Sequence, residues 1–384
     1  MPFTRLRDIK DESGFSLVFV AVGMMGFVAV SMLAIDVGMI MTARSQAQNS
    51  ADASALAGAT ALVFNDWDDR TATGPAVMNA LSAGRANKVM DAQVSVTVPD
   101  IEFPNDAAGQ PTRVKSTVYR DASRGNPVST LVAQYFGIKT ANITATATAE
   151  ASPANAMTCV KPFNIPDRWI EKQTPPFDPN DPFDYLDSKG KPIANPDVYI
   201  GPEDAANYTG YNPERDAGTR VILKADNGTK INPSFYYPYA MPGSTGASDY
   251  ANNITNCNTN VMGFGDPYPS EPGNMVGPTA TGMDGLIARD PSARWDDYTN
   301  RVVSSMHPSP RVVAIPLFDP VYYETGKAGG RNASLKLVNY LGFFIEQMQG
   351  ATVVGRITPI AGLRRGTGGP APAAAFPKSI RLVQ

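Results

Sequence analysis

The chain has 384 residues, enough for more than one domain, and its formal net charge of −3 gives no global basic field for nucleic acid. A single histidine, His307, excludes a multi-histidine metal site and leaves a histidine-based catalytic site almost no material; the two cysteines, Cys159 and Cys257, have neither CxxC nor zinc spacing. Gly and Pro number 33 each, which predicts many turns and short strands.

The N-terminal segment organises the rest. Ser16 to Ile35 is twenty residues without a charge. At about 1.5 Å per residue, a helix over that run crosses a hydrocarbon core of about 30 Å. No Gly or Pro interrupts the register between Gly38 and Gly58, so one helix is predicted over residues 14–62, part in lipid and part beyond it. The apolar run exceeds the core of a cleavable signal, which favours a retained anchor. Arg5, Arg7 and Lys10 precede the span and only Arg44 lies close behind it, so residues 1–13 are expected in the cytoplasm and the bulk of the chain outside. Asp36 stands at the far end, where a carboxylate reaches the interface. Small residues recur along the helix: Gly23 and Gly26, then Ala34 and Gly38, then Ala47, Ala51 and Ala55. They suit either helix propensity alone or close packing against other helices.

Residues 63–150 predict a small α+β module next to the membrane. Pro75 opens a helix that runs to Asn87. Gln93–Val98 and Arg113–Arg120 alternate as strands, Asn126-Pro127 starts a short helix stopped by Gly137, and Ile143–Glu150 is a third strand. Such a module needs neighbours to bury its faces, and the outer half of the long helix supplies one. Ala151–Met157 reads as a linker.

Residues 158–360 form an expected β-rich outer domain. Strands are predicted at Val221–Leu223, at Arg311–Phe318, and at Leu335–Gln347, the last turning at Gln349-Gly350 into Ala351–Ile360. Phe235–Tyr239 is an aromatic cluster. Gly277-Pro278 starts a helix with Met283, Leu286 and Ile287 on its buried face; it lacks dinucleotide and Walker spacing. Cys159 and Cys257, 98 residues apart, form a disulfide by default if this region is extracytoplasmic, and two free thiols otherwise. The acidic run Asp178, Asp181, Asp184, Asp187 offers oxygen ligands for calcium but lacks the EF-hand glycine and terminal glutamate, and its prolines suit a solvated loop. Residues 361–384 form an expected flexible tail, rich in Gly, Pro and Ala from Gly366 to Pro377. Glycosylation-type triplets begin at Asn142, Asn207, Asn227, Asn253 and Asn332.

The block from Gly14 to Leu62 resembles the N-terminal region of TadG-like proteins of the tight-adherence (Tad, Flp pilus) assembly machinery. That pattern is an apolar span, then Asp-Leu/Val-Gly, then a segment resembling R-x-Q-x-Q-x-A-A-D-A-A-A-L-A-G-A. The matching residues are Asp36, Val37, Gly38, Arg44, Gln46, Gln48, Ala51, Asp52, Ala53, Ala55, Leu56, Ala57, Gly58 and Ala59. Gly14-Phe15 fits a prepilin-type processing site, but Phe19 stands where such sites carry Glu. The resemblance implies a non-enzymatic, single-pass protein of the bacterial inner membrane with its bulk in the periplasm, where glycosylation triplets carry little meaning. Its partners would be lipid and pilus-assembly proteins or pilin-like helices, packed through Gly23, Gly26, Ala34 and Gly38. No cofactor, nucleic acid or small-molecule substrate is inferred. The metal-binding Asp-x-Ser-x-Ser triplet of some relatives is absent, as are Gly-x-Ser-x-Gly, HExxH and P-loop motifs. A membrane-anchored adhesin or binding module is the alternative, and an envelope enzyme is a third reading.

Overall fold

The computed structural model describes residues 13–107, 109–226, 230–244, 246–265, 267–306, 308–326, 335–365 and 370–383. The basic residues Arg5, Arg7 and Lys10 and positions His307, Asn227 and Asn332 lie outside them. The fold is α+β, and the chain divides into two compact units. One comprises residues up to Gly58, Arg70–Ala149 and the last residues from Leu382; the other comprises Ala59–Asp69 and Glu150–Arg381.

The first unit is built on α1, Ser13–Phe64, which runs through to Gly58 inside it. Helix α2, Pro75–Ala86, starts where proline fits the first turn and carries Arg85 at its end. A tight hairpin follows, β1 at Lys88–Val89 and β2 at Ala92–Gln93. Strands β3, Ile101–Glu102, β4, Arg113–Arg120, and β7, Ile143–Pro153, lie side by side in one sheet. The alternation of RVKSTVYR is visible in burial: Val114, Ser116, Val118 and Arg120 face in, their neighbours half out. Between β4 and β7 a second hairpin pairs β5, Val128–Ser129, with β6, Thr140–Ala141.

Two expectations fail in this unit. Gln93–Val98 is not a continuous strand: only its first residue pairs, Ser95 bridges to Tyr119, and a 3-10 turn at Val98–Asp100 ends the extended run at Pro99. Asp100 secures that turn by accepting from the Thr97 backbone N–H at 2.8 Å. The helix expected after Asn126-Pro127 is instead the β5–β6 hairpin, whose tip holds a single 3-10 turn at Ala133–Phe136. The N–H groups that would build that helix are drawn to another acceptor, described below.

The second unit is β-rich. Its strands are β8, Ala156–Met157; β9, Phe163–Pro166; β10, Arg220–Ala225; β11, Phe235–Pro238; β12, Met262–Gly263; β13, Pro267–Tyr268; β14, Arg294–Asp296; β15, Arg301–Val303; β16, Val312–Phe318; β17, Leu335–Gln349; β18, Thr352–Ile357; and β19, Lys378–Val383. Helices α3, Pro213–Asp216, α4, Ala247–Thr255, α5, Val276–Ala288, and α6, Pro320–Gly326, are interspersed. Pairing runs β17–β16–β9–β11–β10–β18, and β18 also pairs with β17, so six strands close on one another. The closure uses the two ends of β17: residues up to Phe344 pair with β16, and residues from Phe343 pair with β18. Closure leaves little room near its bend; a Cβ on Gly342 would fall 1.9 Å from the Thr358 carbonyl oxygen. The core is aromatic, with Phe163, Trp169, Phe183, Tyr236, Tyr239, Phe318, Tyr340, Phe343 and Phe376 almost fully buried. On α5, Met283 and Leu286 are buried and Ile287 half-buried, as its pattern predicts.

Two further expectations fail here. The supposed linker Ala151–Met157 is buried strand: Ala151, Ala154 and Ala156 are fully covered, and Ala154 N–H donates to the Pro377 carbonyl at 3.0 Å. The tail is likewise ordered among its described residues. Leu363 bridges to Ala156, Phe376 is in the core with its N–H on Asn339 Oδ1 at 3.0 Å, and β19 lies beside β7. Small residues suit close packing as well as flexibility, so their abundance alone does not separate the two.

Candidate functional site at the N-terminal helix

Two halves of α1 carry the same kinds of small residue in different surroundings. Among the described residues, α1 is the one helix long and apolar enough to cross a membrane, and its most apolar window has no buried residue. Leu17, Phe19, Met25, Phe27, Val30 and Leu33 are all exposed. Ala34 is exposed too, and a Cβ placed on Gly23, Gly26 or Gly38 would meet nothing within 4 Å.

Beyond Gly38 the picture reverses. Ala43, Ala47, Ala51 and Ala55 are buried within the chain's own fold. The Ala47/Ala51/Ala55 row is therefore not a free face for other helices, which corrects that reading of the sequence. Its neighbouring row, Ser50, Ser54 and Gly58, meets Gly84, Ala80 and Ala76 of α2. Ser50 Oγ donates to the Gly84 carbonyl at 2.9 Å and Ser54 Oγ to the Ala80 carbonyl at 2.8 Å. A Cβ on Gly58 would lie 3.3 Å from the Ala76 carbonyl oxygen and 2.7 Å from Val114 Cγ1. As one number rises by four the other falls by four, so the two helices are antiparallel and pack small residue on small residue. Ser116 of β4 completes the contact, its Oγ donating to Ser54 Oγ at 2.7 Å. The A-x-x-x-A-x-x-x-G spacing of Ala76, Ala80 and Gly84 was the available sequence signal for this partner.

The remaining motif residues are placed as follows. Gln46 Oε1 accepts from the Met90 backbone N–H at 2.8 Å, which holds the β1–β2 turn. Gln48 Nε2 donates to Asp52 Oδ1 at 2.8 Å and, at 3.3 Å, to the Thr146 carbonyl of β7. Leu56 and Ala57 are half-buried, and Arg44 is exposed. Asp36 is nearly fully buried although it ends the apolar run. Its Oδ1 accepts from Leu131 N–H at 2.7 Å, its Oδ2 accepts from Val132 N–H at 3.0 Å, and Ala133 N–H also donates to Oδ2. One carboxylate thus caps the 3-10 turn at the tip of the β5–β6 hairpin. No local pattern announces this pairing, because 95 residues separate Asp36 from Leu131.

The second unit holds its chemistry-bearing side chains inside structural networks. Cys159 and Cys257 are joined in a disulfide. Beside it the Lys161 ammonium donates to the carbonyls of Ile254 at 2.6 Å and Asn256 at 3.1 Å at the end of α4; burial pushes its pKa down to about 7. Asp167 is fully buried and accepts from Tyr208 Oη at 2.8 Å, Tyr199 Oη at 3.1 Å and the Tyr211 N–H at 3.0 Å; burial still raises its pKa to about 6. Burial, and then a hydrogen bond shared with Glu171, raises Asp197 to about 6.

The acidic run does not converge. Asp178 accepts from Asn180 N–H, Asp187 accepts from Lys189 and Lys191 N–H, and Asp184 pairs with Lys230. Among the described residues no three His, Cys, Asp or Glu side chains gather where they could hold a metal ion. A cavity of about 510 Å³ lies in the second unit between Asp226, Tyr237, Glu271 and Tyr323.

Comparison with curated proteins and with solved structures finds no match. Comparison with protein families places the likeness on the helix just described. Residues 14–61, which lie within α1, are similar to the family Tad, putative Flp pilus-assembly TadE/G-like.

Proposed function

We propose that this protein is a single-pass, non-enzymatic component of Flp pilus assembly. Its residues 1–13 lie in the cytoplasm, Ser16–Ile35 span the inner membrane, and the remainder stands in the periplasm. It works by contact: the span packs against pilin-like helices through Gly23, Gly26, Ala34 and Gly38, while the outer units position periplasmic partners. The observation that carries this reading is the coincidence of the family match with a helix whose apolar half is bare and whose polar half is already covered by its own chain. Twenty consecutive exposed residues without a charge, all but Ser16 and Ser31 apolar, have no counterpart in water-soluble surfaces and call for lipid or other helices. The disulfide between Cys159 and Cys257 supports an oxidising compartment for the second unit.

Deletion tests the proposal. Loss of surface pili in the deletion strain, restored by the full chain, supports it. Normal pili together with lost surface attachment would move the protein to the adhesin reading.

A further inference from the structure

The β5–β6 hairpin presents a bare apolar tip at a defined height on α1. Leu131 is 53% exposed, Tyr135 82%, Phe136 74% and Ile138 60%, and Lys139 beside them is exposed as well. No described residue of the first unit covers them. The tip is tied to Asp36 by three backbone donors, and Asp36 is the residue immediately after the uncharged run. At about 1.5 Å of rise per residue, that tie holds the tip within one helical turn of the end of the span.

We propose that this hairpin is a second membrane contact, seated in the headgroup region of the leaflet from which α1 emerges. This rests on the reading of Ser16–Ile35 as a span. Composition favours lipid over a protein partner: Tyr and Phe flanked by Lys form the aromatic and basic belt that membrane interfaces select. Leu33, Ile35, Val37 and Met41, the apolar residues around Asp36 along α1, are exposed as well. Its backbone is fitted to an apolar medium, since its groups bond to one another. Thr130 N–H donates to Lys139 O at 3.1 Å, Gly137 N–H to Gln134 O at 3.1 Å and Ile138 N–H to Ala133 O at 3.0 Å. Asp36 is covered by the same contact, so its carboxylate does not face the lipid edge unpartnered. The hairpin thereby fixes the depth of α1 as well as its own.

The test uses the full chain in nanodiscs of phosphatidylcholine and phosphatidylglycerol, with brominated lipid as quencher. A Phe136→Trp variant is read against the three native tryptophans, and Phe27→Trp marks the middle of the span. Position 136 should emit at short wavelength and lose most of its added fluorescence to shallow bromine labels. Adding Asp36→Ala should abolish that loss. Emission from Trp at 136 that is water-like, or shielded yet unquenched, overturns the proposal; the shielded case assigns the tip to a protein partner. Quenching unchanged by Asp36→Ala overturns the tether. If Phe27→Trp is quenched while Phe136→Trp is not, the hairpin reading alone fails. If neither is quenched, the span reading fails with it.

Discussion

Alanine, serine and glycine close the first unit, whereas rings close the second. In the first, Ser50, Ser54 and Gly58 meet Gly84, Ala80 and Ala76 so closely that a single added carbon at Gly58 meets Val114. In the second, Phe163 meets Tyr236 with ring centroids at 5.6 Å, Trp169 meets Phe183 at 4.9 Å and Tyr237 meets Phe318 at 5.1 Å, with a disulfide clamping the end of α4. The difference teaches where each unit is sensitive: the first to added volume, the second to lost constraint. It also teaches which part of α1 remains available. The polar half is packed into its own fold, and the apolar half is not.

Removing the constraint should have the largest effect. Replacing both cysteines, Cys159→Ser with Cys257→Ser, should cost the second unit about 4–5 kcal/mol on the chain-entropy estimate for a loop near 100 residues. Hydrogen exchange on the full chain in detergent should show protection lost from β9, β11 and α4 and retained at α2 and β4. Equal loss in both units would break the comparison.

Added volume should act the other way round. Ala51→Leu overpacks a fully buried position and should cost the first unit about 1–3 kcal/mol or more, with the second unit's exchange unchanged. A Cβ on Gly26 meets nothing within 4 Å, so Gly26→Leu should leave both units as stable as before. A finer cut is Ser54→Ala, which removes the donor to Ala80 and the acceptor for Ser116. It should lower first-unit stability by about 1 kcal/mol, read by exchange at α2.

Acid should separate the units more gently. Burial raises Asp167 in the second unit to about 6 from an ordinary value of 3.8. A carboxyl whose pKa is raised by folding binds its proton more tightly in the folded state. Its contribution is therefore full below about pH 4 and is lost as pH rises through about 6. Second-unit protection should decline over that window, and Asp167→Asn should flatten the decline. A slope unchanged by the substitution would remove Asp167 as its source.

Elements set by strong local pattern were legible from sequence. Strand β4 was read at its observed bounds from RVKSTVYR, helix α2 from Pro75, and β17 with β18 from a long apolar run turning at Gln349-Gly350. The alanine-rich stretches were not. Ala151–Met157 and Ala375–Pro377 are packed strand and core anchors, and small side chains look alike in a linker and in a close contact. The bond between Asp36 and the β5–β6 tip was hidden for a different reason. A carboxylate far away in the chain takes the N–H groups that would otherwise start a helix at Leu131. The closure of the six strands depends on β17 bending to serve two neighbours, which no local window displays.

The central claim is that the bare half of α1 serves pilus-assembly partners and the covered half does not. A photo-crosslinking residue placed at Gly26, and separately at Ala51, in the full chain in native membranes tests it most directly. The account predicts adducts to pilus-assembly or pilin-like proteins from position 26 and only intramolecular adducts from position 51. Intermolecular adducts from 51, or none to such proteins from 26 in membranes that carry assembled pili, would contradict it.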